Sequence, residues 1–312
     1  MTGAAVVPKA TFSPSEHVVS TAERLLERHL QRAKEWFPHE LVPWSEGRDF
    51  ERDSPAGSSE EPDIPLPAGV KSALFVNLLT EDNLPHYFHV IAQALGDDSA
   101  LGEWTRRWTA EEQRHSIVLR DWITVTRQLD LVALERARMR QVTGGFRVGK
   151  RFHNVHDGFV YLTLQELATR IAHHNTGQLL ADRAGGAIMT RVATDENLHF
   201  LFYRDLVSAA LEEDPSGVVL AIDRQVAGFE MPGAEIEDFS RHAAAIASAR
   251  IYDFQVHFEQ ILVPVVLRRW KLESLEGLTP EAEAARDSAL HLIGRVERVA
   301  RRLDSQRAKV DA

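Results

Sequence analysis

The chain has 312 residues, a formal net charge of −10, 44% apolar and 26% charged residues, and no cysteine. That apolar fraction supports a sizeable core and excludes a wholly disordered chain, and the lack of cysteine excludes disulfides, thiolate metal sites and a cysteine nucleophile. The acidic balance excludes general nucleic-acid binding, which needs a basic surface to neutralise phosphate.

Residues 1–13 read as a tail, with Lys9 as the only basic residue before Arg24. This segment lacks the charged start and apolar core of a secretory signal, so a cytoplasmic protein is expected. Ser13 or Ser15 is placed to cap a helix running to about Trp36. Residues 37–69 carry six prolines and little helical periodicity, which predicts an irregular connection rather than a strand pair.

From about Val70 the pattern turns helical, with segments near 70–95, 99–127, 156–182 and 186–211. Gly96-Asp97-Asp98 separates the first two, and Thr143-Gly144-Gly145 falls in a long excursion between the second and third. Gly185-Gly186 predicts the short turn before the fourth. A further helical group is expected near 217–228, 238–257, 258–274 and 280–308. The strongest apolar run, Ile261 to Leu267, is broken by Pro264 and far too short to cross a bilayer. No segment reads as a strand, a repeat or a low-complexity tract. The expected fold class is therefore all-α, in one domain over 1–312. Its parts are an N-terminal helix and irregular segment (1–69), a four-helix core (70–211) and C-terminal helices (212–312).

The four core segments carry Glu81, then Glu112-Gln113-Arg114-His115, then Glu166, then Glu196-Asn197-Leu198-His199. The order Glu, Glu-x-x-His, Glu, Glu-x-x-His is the ligand pattern of a two-metal carboxylate site in a ferritin-like bundle. Residues three apart on a helix project about 60° from one another, so each Glu-x-x-His pair can grip one ion together. With 27 Glu and 14 His, random placement would give about one such motif, so the weight rests on order and spacing. The intervals 81 to 112 and 166 to 196 each fit an antiparallel helical hairpin, and 112 to 166 fits a long crossover. Four carboxylates balance two divalent cations, which allows the cluster to be buried. Oxygen and imidazole ligands suit iron, manganese or zinc. The other helical histidines, His86, His89, His173, His174 and His257, read as surface or satisfied core residues, and nothing specific follows from His153 and His156.

At these residues the chain resembles the soluble acyl-acyl carrier protein desaturases. The matching stretches are Asn77-Leu-Leu-Thr-Glu-Asp-Asn-Leu-Pro-His-Tyr87, Trp104-Thr-Arg-Arg-Trp-Thr-Ala-Glu-Glu-Gln-Arg-His115, Tyr161-Leu-Thr-Leu-Gln-Glu-Leu-Ala-Thr169, His174-Asn-Thr176 and Asp195-Glu-Asn-Leu-His199, with Glu35-Trp36-Phe-Pro38 and Leu41-Val-Pro43 upstream. The resemblance implies a homodimeric helical fold, a buried pair of iron ions, and O2-dependent insertion of a cis double bond into a saturated fatty acyl chain on acyl carrier protein. A ferredoxin-type donor would supply electrons. By residue, it implies Glu81, Glu112, His115, Glu166, Glu196 and His199 as iron ligands, Thr169 in oxygen or proton delivery, and Trp36 on the electron route. The alternative for Thr169 is an ordinary helix threonine bonding a backbone carbonyl, and for Trp36 it is packing.

Ser116, Leu198 and Phe200 depart from the plant pattern, at positions usually held by glycine, a basic residue and an acidic residue. Lys34 matches a basic residue of the family. Arg28, Arg32, Arg147, Lys150, Arg151, Arg268, Arg269 and Lys271 are further candidates for docking an acidic carrier. Competing readings are a di-iron oxygenase acting on a different substrate and a non-catalytic ferritin-like metal-binding protein.

Overall fold

The computed structural model describes residues 14–50, 66–145 and 152–310. Helix α1 (Glu16–Arg32) begins at Ser15, whose hydroxyl accepts from the Val18 amide at 3.2 Å. Ser13, the alternative cap, lies outside the described residues. The proline-rich connection contains a short helix α2 (Pro38–Leu41) and a 3-10 turn (Trp44–Glu46), and residues 51–65 lie outside the described residues.

The expected helix over 70–95 is two helices, α3 (Ala68–Asp82) and α4 (Leu84–Leu95). Pro85 sits in the first turn of α4 and has no N–H with which to continue α3. The Asn83 amide closes the break by bonding the Thr80 and Glu81 carbonyls. Glu81 thereby falls in the last turn of α3.

Helix α5 (Ala100–Thr126) follows the sequence expectation, but the excursion after it holds a helix the periodicity did not reveal, α6 (Leu131–Gly144). Asp130 caps α6 by accepting from the Val132 and Ala133 amides. An Asp ahead of an apolar run is a start signal, and it was there to be read.

Helix α7 (Val155–Gln178) opens with a capping box between Asn154 and Asp157. Helix α8 (Arg183–Glu213) starts after a four-residue connection, so α7 and α8 pack as antiparallel neighbours. Gly185 and Gly186 lie inside the first turn of α8, not in the turn ahead of it. The α8 cap is Asp182, which accepts from the Ala184 and Gly185 amides. Gly185 is needed for packing: a Cβ there would stand 2.4 Å from Trp122 Cζ2.

Beyond the core come α9 (Pro215–Gly228), α10 (Phe239–Ser248), a short α11 (Phe254–His257), a π-helical stretch (Phe258–Arg269) and α12 (Pro280–Val310). The expected helix over 238–257 is broken after Ser248 by Arg250 at φ 57° and restarted by Asp253, which caps α11. The segment expected as 258–274 winds as a π-helix. Pro264 removes one α-type donor, and the Trp270 amide bonds the carbonyl five residues back, Val265.

The fold is all-α and ferritin-like, with no strand among the described residues. Helices α3, α5, α7 and α8 form the four-helix core, and α1 lies across α5 and α8. Two apolar clusters fill it. One gathers Trp104, Trp108, Phe159, Phe202 and Tyr203 with the C-terminal helices, and the other gathers Trp36, Leu74, Trp122, Ile188 and Met189. Along both α5 and α8 the Glu-x-x-His motifs fall between residues of the two clusters, so the polar site is sealed in by apolar packing at either side.

Candidate metal centre

Each core helix contributes from its buried face: Glu81 from α3, Glu112 and His115 from α5, Glu166 from α7, and Glu196 and His199 from α8. His115, His199 and Glu166 are fully buried. The ligand atoms gather into two overlapping groups, Glu81, Glu112, His115 and Glu196, and Glu112, Glu166, Glu196 and His199, with the atoms of each group within 4.8 Å of one another.

Glu112 and Glu196 belong to both groups. His115 Nδ1 lies 3.3 Å from Glu112 Oε2, 3.6 Å from Glu196 Oε1 and 3.9 Å from Glu81 Oε2. His199 Nδ1 lies 2.8 Å from Glu112 Oε1, 3.6 Å from Glu166 Oε2 and 3.9 Å from Glu196 Oε2. Each shared carboxylate thus offers one oxygen toward each histidine, the disposition of a bridging ligand.

The donor set fits a pair of cations. Glu112 Oε1, His115 Nδ1, Glu166 Oε2, Glu196 Oε2 and His199 Nδ1 are all buried without a hydrogen-bond partner, and all face the cluster. Buried polar atoms are normally satisfied, so five orphans converging on one volume call for a cation that accepts their lone pairs. The electrostatics agree. Burial, reinforced by neighbouring carboxylates, raises Glu81 and Glu166 well above the usual carboxylate range. Burial also works against the charge on Glu112, but the adjoining His115 and His199 win and hold it low. Burial opposes charge on the two histidines as well, yet the carboxylates around them raise both well above the usual range. Two bound cations would stand in for those protons.

Sequence reasoning missed the residues that hold the ligands. An acidic residue precedes each Glu-x-x-His, and the two cross over. Glu111 on α5 takes the outer nitrogen of His199, with Nε2 to Oε2 at 2.9 Å, and Asp195 on α8 faces His115 Nε2 at 3.5 Å. A carboxylate on the outer nitrogen fixes the imidazole tautomer and orients the inner lone pair. Burial opposes the charge on both acids, but hydrogen bonds from His199 and His29 lower Glu111, and the neighbouring His115 and Arg191 lower Asp195. The signal was visible as a repeated acid-Glu-x-x-His pattern.

Two further contacts brace the site. Trp108 donates Nε1–H to Glu166 Oε1 at 3.0 Å, and His173 Nε2 lies 3.3 Å from Glu81 Oε1. Burial drops His173 to about 4, so it is a neutral imidazole.

Thr169 is buried one turn after Glu166, and its hydroxyl donates to the Gln165 and Glu166 carbonyls at 3.2 and 3.1 Å. Trp36 follows α1, donates Nε1–H to Asp195 Oδ2 at 2.8 Å, and has the Arg114 and Arg191 guanidinium groups 4.9 and 5.8 Å from its ring centre. Ser116 bonds Asp82 Oδ1 at 2.6 Å, beside Glu81. On α8, Leu198 is half-buried and lines a small cavity with Arg28, His29 and Arg32, and Phe200 belongs to the first apolar cluster.

Of the basic docking candidates, Arg28 and Arg269 share Asp205 at 2.8 and 3.1 Å, and Arg32, Lys34, Arg268 and Lys271 are exposed. Arg147, Lys150 and Arg151 lie outside the described residues. No helix among the described residues is long and apolar enough to cross a membrane.

The chain is similar to known proteins over most of its length. A family model described as "Fatty acid desaturase" matches residues 15–312. DesA1 of Mycobacterium tuberculosis (strain ATCC 25618 / H37Rv), named as an acyl-[acyl-carrier-protein] desaturase, is 39% identical over 283 residues, spanning 88% of this chain and 82% of its own. The chloroplastic stearoyl-[acyl-carrier-protein] 9-desaturase 6 of Arabidopsis thaliana is 31% identical over 293 residues, spanning 88% of this chain and 73% of its own. The X-ray structure of DesA2 from Mycobacterium tuberculosis H37Rv superposes with a TM-score of 0.67 at 24% identity, covering 86% of this chain and 97% of that one, a likeness of fold.

Proposed function

The chain belongs to the fatty acid desaturase family, and from that premise we propose that it is an acyl-[acyl-carrier-protein] desaturase using two iron ions and O2 to insert a cis double bond into a saturated acyl chain. The observation that carries the reading is the pair of buried four-ligand groups sharing Glu112 and Glu196, each completed by one histidine. The names of the relatives support acyl carrier protein as the carrier.

Glu81, Glu112, His115, Glu166, Glu196 and His199 would hold the ions. When bound, the iron pair supplies the O2-derived oxidising power needed to break two methylene C–H bonds, which acid–base side chains cannot.

The rest is the work of the chain. The fully buried His115, His199 and Glu166 keep water from the ions. Trp108 holds Glu166 and leaves its second oxygen, Oε2, toward His199. Thr169 serves as the proton donor beside the site, and to do so its hydroxyl rotates away from the Gln165 and Glu166 carbonyls it now bonds. Trp36 passes electrons inward through Asp195 and His115, and Arg114 and Arg191 beside its ring favour an acidic, ferredoxin-type donor.

The test is mass spectrometry of fatty acids after incubating iron-loaded protein with stearoyl-acyl carrier protein, ferredoxin, its reductase, NADPH and O2, beside Glu196→Ala. A monounsaturated product absent from the Glu196→Ala reaction is the expected result. A hydroxylated product, or none from protein holding two irons, overturns the reading.

A further inference from the structure

The two ligand histidines are braced by matching carboxylates, but the carboxylates are braced differently. Asp195 takes the indole N–H of Trp36. Glu111 takes His29, a residue of α1 that is 4% exposed, with Nε2 to Oε2 at 2.9 Å. Glu111 Oε2 therefore meets two imidazole nitrogens at 2.9 Å, from His29 and from His199.

Its other oxygen, Oε1, takes Arg107 Nε at 2.6 Å. A carboxylate only accepts, so both imidazoles present N–H at Nε2, and His199 is left with its Nδ1 lone pair facing the metal cluster. Take away His29 and Oε2 loses one of its two donors, so the carboxylate is free to swing on the Arg107 fork, and the His199 ring with it. The remaining nitrogen of His29, Nδ1, is buried without a partner in the protein, and the ring lines a small cavity shared with Arg28 and Leu198.

We infer that His29 is a positioning residue for the metal centre: it locks Glu111, and through Glu111 sets the tautomer and aim of His199. This rests on the proposed metal centre. It gives α1 and the segment after it a shared role, since His29 and Trp36 brace opposite histidines of the centre from one stretch of chain.

The test is Co2+ binding by chelator competition and visible absorption, on the unsubstituted full chain and on His29→Leu, His29→Gln and His199→Ala. Two equivalents are expected on the unsubstituted protein. His29→Leu is expected to weaken one of them by about 10- to 100-fold, with a changed absorption band. His29→Gln, whose amide can donate to Glu111, is expected to restore affinity to within a few-fold. If His29→Leu lacks native helical circular dichroism as apo-protein, His29→Ala is read in its place. Two equivalents bound as tightly by His29→Leu, or no rescue by His29→Gln, overturn the role of His29 while leaving the metal centre standing. No Co2+ bound by the unsubstituted protein overturns the metal centre and this role together.

Discussion

Trp36 illustrates how one side chain can be both packing and chemistry. It is 8% exposed and belongs to an apolar cluster, yet its N–H reaches Asp195, which faces His115. Trp36→Phe keeps the ring bulk and removes that hydrogen bond. Metal content should be unchanged, while turnover driven by ferredoxin falls about tenfold or more, ~1.4 kcal/mol of barrier. A reaction started by chemical reduction should keep its yield, and comparison of the two reductants checks the electron role. The histidine at the end of α11 gives a prediction in pH. His257 is lowered to about 4 by burial, accepts from the Tyr252 hydroxyl at Nδ1 (2.8 Å), and stacks on Phe229. The unfolded chain binds a proton at this residue below about 6.5, and the folded chain does so only below about 4. Its contribution to stability is thus complete above pH 6.5 and is lost as the pH falls from there through 4. Urea unfolding of His257→Gln, which still accepts from Tyr252, should show a shallower loss across that window.

At the scale of elements, the junction of α7 and α8 shows packing overruling local signals. Gly185-Gly186 has the composition of a turn, but the turn is at 179–182, and Gly185 sits where α8 meets α5. Trp122 there is fully buried and donates Nε1–H to Asp182 Oδ2 at 2.8 Å, so it cannot retreat from an added methyl. Gly185→Ala gains up to about 1 kcal/mol in helix propensity. The 2.4 Å clash with Trp122 should outweigh it, for a net loss of ~1–3 kcal/mol in denaturant unfolding. The break between α3 and α4 has a different origin and was legible as Asn83-Leu84-Pro85. Helix α6 has half its positions apolar, but they are spread around the helix and only Leu134 and Ala137 are buried, so they trace no clear core-facing stripe.

Across the whole molecule, the four-helix core surrounds a cluster of buried carboxylate and imidazole atoms that lack hydrogen-bond partners in the protein. Binding two cations should therefore stabilise the folded chain by mass action, by about 2.7 kcal/mol for each site at a metal concentration one hundred times its dissociation constant. Adding Fe2+ without oxygen should raise the thermal midpoint and a chelator should lower it again; an unmoved midpoint would speak against the centre. The all-α fold and the candidate ligands Glu81, Glu112, His115, Glu166, Glu196 and His199 were legible in the sequence because helical periodicity and the Glu-x-x-His spacing are local properties. The acid ahead of each motif, Glu111 and Asp195, was visible too, but which histidine each one holds was not. Trp36 and Asp195 are 159 residues apart, His29 and Glu111 are 82 apart, and Glu111 and His199 are 88 apart. No periodicity joins residues at such separations. The crossed pairing of Glu111 with His199 and Asp195 with His115, and the seat of α1 against both, were decided only when packing brought α1, α5 and α8 together, because a hydrogen bond between distant residues exists only in the folded chain.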